Sequence, residues 1–185
     1  MIDVVVAVGL FMKEQFANER ELHFELYRHL RNWTEGLYGE RNYSRIVVKP
    51  EISKNPIIDD VPPPIGKRYV STDLAIFYDD FLCLTVEVKH EETSSQGATD
   101  VETVTQAFRQ GHSLTSKYVA TFTENELCLF EFLDNNELGK AVAMEDKWLT
   151  PLNIRDTLLK RFEVTNLKES ARQILDIVKS FATRM

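Results

Sequence analysis

Residues 69–90, YVSTDLAIFYDDFLCLTVEVKH, decide the fold. Two runs rich in β-branched and aromatic residues, Tyr69 to Tyr78 and Phe81 to His90, flank the turn-forming pair Asp79 and Asp80, which predicts an antiparallel hairpin. Side chains alternate between the two faces of a strand. Phe81, Cys83, Thr85, Glu87 and Lys89 therefore form one row, and Leu82, Leu84, Val86 and Val88 form an apolar row on the opposite face. A two-residue loop with unbroken pairing sets Tyr78 against Phe81 and Asp73 against Val86, on the wrong side of the sheet. A three-residue loop or a β-bulge sets Asp73 opposite Glu87 instead, and that is the expected register.

Upstream of the hairpin, residues 18–33 carry Leu22, Leu26, Leu30 and Trp33 at helical spacing, with Asn18 and Glu21 forming a helix-start pattern. Residues 45–52 (RIVVKPEI) predict a strand, followed by a loop holding Pro56, Pro62, Pro63, Pro64 and Gly66. Downstream, residues 101–116 predict a helix with Val101, Val104, Thr105 and Phe108 on one side. Residues 118–123 and 127–133 predict two more strands joined by a turn at Glu124 to Glu126. Thr150 and Pro151 suit the start of a further helix, and residues 166–183 carry Leu167, Ala171, Ile174, Leu175, Val178 and Phe181 on one face. The order predicts an α/β fold with a mixed central sheet of about five strands between helical layers. One domain over 1–185 is expected, with a core of about 19–133 and C-terminal helices over 150–185.

Composition sets the limits. The 185 residues are 43% hydrophobic and 28% charged, enough for a real core without disulfides or a structural metal. Cys83 and Cys128 sit in separate apolar runs and suit packing better than reactivity. The apolar run near Met1 is far short of a membrane span and lacks a basic n-region and a small-residue cleavage site. A cytoplasmic protein with no membrane partner is the expectation. With 22 Lys and Arg against 29 Asp and Glu, the net charge is −7, so no sequence-wide footprint for nucleic acid exists. Any such interface must be local.

Asp73, Glu87 and Lys89 supply a candidate. Two carboxylates and an ammonium meeting at the end of paired strands suit a hard divalent cation held through oxygen, with the ammonium facing developing negative charge. Phosphodiester hydrolysis is the natural chemistry. A solvated strand face with a surface ion pair accounts for the same triplet, and such pairs contribute only about 0–1 kcal/mol.

The segments Ser71-Thr72-Asp73 and Glu87-Val88-Lys89 resemble the active-site motif of the PD-(D/E)XK nuclease superfamily, an Asp on one strand and Glu-x-Lys on the next. More narrowly, residues 19–133 are similar to the N-terminal nuclease domain of the restriction subunit of type I restriction enzymes. The runs GKRYVSTDLAIFYDDFLCLTVEVK, VTQAFRQG and YVATFTENELCLFEF carry that similarity. It implies a restriction-endonuclease-like three-layer fold and a metal-dependent nuclease using Mg²⁺ or Mn²⁺. Asp73, Glu87 and the Val88 carbonyl would be metal ligands, and Lys89 would orient the nucleophile or stabilise charge. It further implies a helix acid, for which Glu19 falls within the Leu22 stripe, and a helix glutamine, for which Gln106 fits the family's Gln-x-x-x-Tyr element. That element's tyrosine position holds Gln110, and the residue before Asp73 is Thr72 rather than proline. Lys67 and Arg68, in the loop feeding the Asp73 strand, are the candidate phosphate contacts.

DNA is the implied substrate, with RNA not separated from it by the residues themselves. No Gly-x-x-x-x-Gly-Lys-Ser/Thr loop is present, so a motor or methylase subunit on another chain is compatible, as is a homodimer. The alternative class is a catalytically inactive or partner-dependent nucleic-acid-binding module on the same fold.

Overall fold

The computed structural model describes residues 15–39, 42–54, 70–91, 97–131 and 155–182. The proline-rich loop with Lys67 and Arg68, the apolar run near Met1, and Thr150 with Pro151 lie outside the described residues. Six strands form one mixed sheet in sequence order: β1 (Ile46–Lys54), β2 (Val70–Tyr78), β3 (Phe81–Val88), β4 (Tyr118–Phe122), β5 (Glu126–Glu131) and β6 (Leu158–Glu163). All neighbours pair antiparallel except β3 and β4, which are parallel. A parallel pair needs a crossover, and the helix α2 (Val101–Leu114) supplies it.

Two apolar clusters lie on opposite faces of this sheet. On one face α1 (Glu19–Thr34) and α3 (Leu167–Ala182) pack against each other and the strands. Leu22, Leu26, Leu30 and Trp33 of α1 meet Ala171, Ile174, Leu175 and Val178 of α3 over Leu74, Ile76, Leu84, Val86, Val88 and Phe122. Two polar contacts tie α3 in place: Trp33 Nε1 donates to the Lys168 carbonyl at 2.9 Å and the Tyr43 hydroxyl donates to Asp176 at 2.6 Å. On the other face α2 brings Val104, Ala107 and Phe108 onto Val119, Cys128 and Phe130. Three layers result, α/β in class, as the alternation of elements predicts.

The start of α1 follows its sequence. Asn18 Oδ1 accepts from Glu21 N at 3.0 Å, and the Glu21 carboxylate returns to Ala17 N at 2.7 Å, satisfying donors that a helix start leaves open. Both cysteines are buried and free, and burial raises both thiol pKa values, that of Cys128 to about 11, so they pack as small hydrophobes.

The hairpin combines a tight turn with a bulge. Asp79 and Asp80 have φ of 45° and 67°, the double left-handed geometry that matches strand twist in two-residue loops, and Tyr78 pairs with Phe81. The register then shifts: Phe77 pairs with Leu82 but Ile76 pairs with Leu84, and Leu74 pairs with Val86. Cys83 is the extra residue. This corrects its place in the Glu87 row, because the bulge turns Cys83 into the cluster under α1 and α3. Continued one step, the shifted register sets Asp73 level with Glu87.

The C-terminal region departs from expectation. Residues 150–185 were expected to be helical beyond a five-stranded sheet, yet Leu158–Glu163 form a sixth strand against β5. Only Leu158 and Phe162 of this strand are partly buried. Its pairing comes from the open backbone edge of β5 rather than from an apolar pattern. No helix among the described residues is long and apolar enough to cross a membrane.

One local strain is correctable. Thr115 caps α2 at φ 57°, a conformation that is costly for a β-branched residue and common for glycine. Thr115→Gly is expected to raise stability by about 1 kcal/mol, read as a higher thermal midpoint. An unchanged or lower midpoint would count against the strain.

Candidate functional site

Asp73, Glu87, Lys89 and Glu19 meet where the ladder between β2 and β3 ends. The ladder pairing of β2 with β3 reaches Leu74 and Val86; beyond it the Val88 N–H is taken by Asp73 Oδ2 at 2.7 Å. The side chain thus replaces a ladder bond, and it leaves Asp73 Oδ1 without a hydrogen bond among the described residues. The N–H and C=O of one strand residue project to the same edge, so the Val88 carbonyl also faces this junction, while its side chain is buried in the core.

Glu87 points to the opposite layer, beneath α2, and is 1% exposed. Lys89 is 9% exposed, its Nζ 2.7 Å from Glu87 Oε1 and 3.6 Å from Glu19 Oε1. A solvated strand face is therefore overturned: the pair is buried. The Lys89 ammonium meets Glu87 Oε1 as an ion pair, and that buried oxygen takes no other partner among the described residues.

Burial works against the Lys89 charge, but the carboxylates of Glu87, Glu19 and Asp73 hold its pKa above the usual lysine value. It stays an ammonium. Burial pushes Glu87 the other way, up to about 8, with the nearby Asp73 charge adding to the rise and Lys89 and Gln110 opposing it. Below about pH 8 Glu87 therefore holds a proton rather than carry its charge in the interior.

The helix amide at this carboxylate is Gln110, not Gln106. Gln110 Nε2 donates to Glu87 Oε2 at 2.6 Å, whereas Gln106 is half-buried one turn earlier and makes no hydrogen bond among the described residues. A sequence signal existed. At 100° per residue, Gln110 falls at the edge of the stripe made by Thr103, Val104, Ala107, Phe108 and Gly111, and Gln106 lies about 40° further out.

A second polar group, which composition and spacing do not reveal, lies beside Lys89. The Glu91 N–H donates to the Glu124 carboxylate at 3.1 Å, the Glu91 carboxylate accepts from Thr123 Oγ1 at 2.6 Å and also from Asn125 Nδ2, and His90 Nε2 lies 2.8 Å from the Phe16 carbonyl. These contacts tie the chain entering α1 to the ends of β3 and β4, which helps bring Glu19 to Lys89.

Asp73 Oδ1 and Glu87 Oε1, the latter shared with the Lys89 ammonium, are the oxygens that suit a small oxygen-loving cation, with the Val88 carbonyl as a third donor. No group of three His, Cys, Asp or Glu side chains able to hold a metal occurs among the described residues; the candidate donor set is two carboxylates and a carbonyl. No family model, curated protein or solved structure matches the chain. Function must be argued from the site itself.

Proposed function

We propose that the protein is a metal-dependent nuclease of the restriction-endonuclease-like, PD-(D/E)XK type, acting on DNA with Mg²⁺ or Mn²⁺. The observation that carries this reading is the burial of Glu87 and Lys89 beside Asp73, with a single ammonium at 2.7 Å from Glu87 Oε1 facing two carboxylates and Asp73 Oδ1 without a hydrogen bond among the described residues. A buried, incompletely compensated carboxylate is costly, and a divalent cation would offset that cost.

Asp73 and Glu87 would hold the cation, aided by the Val88 carbonyl. When bound, it would neutralise phosphate charge and lower the pKa of a water. Lys89, kept charged and aimed by Glu87 and Glu19, orients the attacking water or stabilises the negative charge that grows on phosphorus-bound oxygen. Glu19 acts on Lys89 rather than on the cation. Lys67 and Arg68 would meet the phosphate backbone.

Cleavage of supercoiled plasmid and of single-stranded DNA in Mg²⁺ or Mn²⁺ tests the reading. Asp73→Ala and Lys89→Ala are each expected to reduce cutting by about 100-fold or more. Cutting that survives both changes, or that persists in EDTA, would rule the assignment out. The net charge of −7 favours a second form of the same reading, a binding module whose activity depends on a motor or methylase partner. Metal-dependent DNA binding without cutting would select it.

A further inference from the structure

We propose that Gln110 is a positioning residue that sets which divalent cation the site prefers, by withholding one oxygen of Glu87. This rests on the metal-site reading above. Gln110 is 3% exposed, and its amide nitrogen lies 2.6 Å from Glu87 Oε2. Its own Oε1 is buried with no hydrogen bond. A buried amide with its acceptor unused is a standing cost, so the contact with Glu87 is what this side chain contributes. Gln110 cannot readily withdraw, because Ala107, Phe108 and Gly111 around it on α2 are buried against the sheet.

The two oxygens of Glu87 are consequently divided. Oε2 is committed to the Gln110 amide, and Oε1 faces the Lys89 ammonium at 2.7 Å, which makes Oε1 the oxygen a cation would share with Lys89. A carboxylate held in this way offers one oxygen to a cation. Mg²⁺ takes single oxygens in near-octahedral geometry, whereas Ca²⁺ takes six to eight, often including both oxygens of one carboxylate. Restricting Glu87 to one oxygen therefore disfavours Ca²⁺ relative to Mg²⁺, and releasing Oε2 reverses that bias.

Gln110→Met keeps the side-chain length and removes the donor. The test is calorimetric titration of the full chain with MgCl₂ and, separately, CaCl₂, for wild type, Gln110→Met and Asp73→Asn, with folding checked by circular dichroism. The expected result is an Mg²⁺ to Ca²⁺ affinity ratio lowered about tenfold in Gln110→Met, the scale on which outer partners of metal ligands act. An unchanged ratio, whether both affinities fall together or neither moves, would reduce Gln110 to a packing role. Should Gln110→Met fail to fold, Gln110→Asn, whose shorter amide cannot reach Glu87, is read by the same ratio. Wild type binding neither cation, or Asp73→Asn binding as tightly as wild type, overturns the metal site itself. Binding that Asp73→Asn abolishes, with an unmoved ratio in the Gln110 variant, overturns only the role of Gln110.

Discussion

Phe122→Ala is expected to cost about 3–5 kcal/mol, the range for removing a fully buried phenylalanine from a packed core. Phe122 is fully buried at the end of β4, beneath α1 and α3 and paired with Val88. Its carbonyl accepts the Lys89 N–H at 2.8 Å. The ring therefore underlies the end of β3 that leads into Lys89, and the cavity left by alanine opens in the core beside Val88. Urea unfolding measures the loss. Phe81→Ala is the control: Phe81 is 66% exposed, and its loss is expected to stay within about 0.5 kcal/mol. Equal effects at the two positions would show that the cluster under α1 and α3 is not the main core.

Glu87→Gln is expected to stabilise the metal-free protein at alkaline pH and to flatten its pH dependence. The pKa of Glu87 is raised from 4.5 to about 8 in the folded chain, so between those values the native state holds a proton that the unfolded state has released. Stability must fall as pH rises through that window, and level off above it. At 1.36 kcal/mol per unit the ceiling on this loss is about 5 kcal/mol, a figure in which the opposing Lys89 charge is already included, and the coupling of Glu87 to its neighbours makes a few kcal/mol the working figure. Glutamine resembles the protonated acid and carries no such penalty. Urea unfolding in EDTA at pH 5 and pH 8.5 separates the cases: wild type is expected to lose stability between the two, and Glu87→Gln to hold it. Parallel behaviour would mean that Glu87 is not desolvated. Added Mg²⁺ should recover wild type at pH 8.5 and leave Glu87→Gln little changed, because ligand binding stabilises only the form that binds it.

Much of the hairpin and its acids was legible in the residues because strand alternation is a local property. The row containing Glu87 and Lys89 follows from a period of two, and the demand that Asp73 share their face required a three-residue loop or a bulge, of which the bulge, at Cys83, is the one observed. Glu19 was legible for a similar reason, since its angle on α1 relative to Leu22 and Leu26 is set by helix geometry alone. These assignments need only short stretches of chain.

What the amino-acid sequence determined by itself, then, is the α/β alternation, the α1 stripe, the β2–β3 hairpin and the shared face of Glu87 and Lys89. The tertiary structure decided the rest. Only the packing of α2 across the sheet shows that Gln110 rather than Gln106 reaches Glu87, because helix rotation is set by contacts with strands far away in sequence. The strand Leu158–Glu163 exists because β5 presents an unpaired backbone edge, and a backbone donor leaves no mark in side-chain periodicity. Above all, a Glu-x-Lys triplet reads the same in water or in a core. Layers closing on both faces of β3 remove its solvent, and that desolvation turns an ordinary ion pair into a buried one that raises the pKa of Glu87.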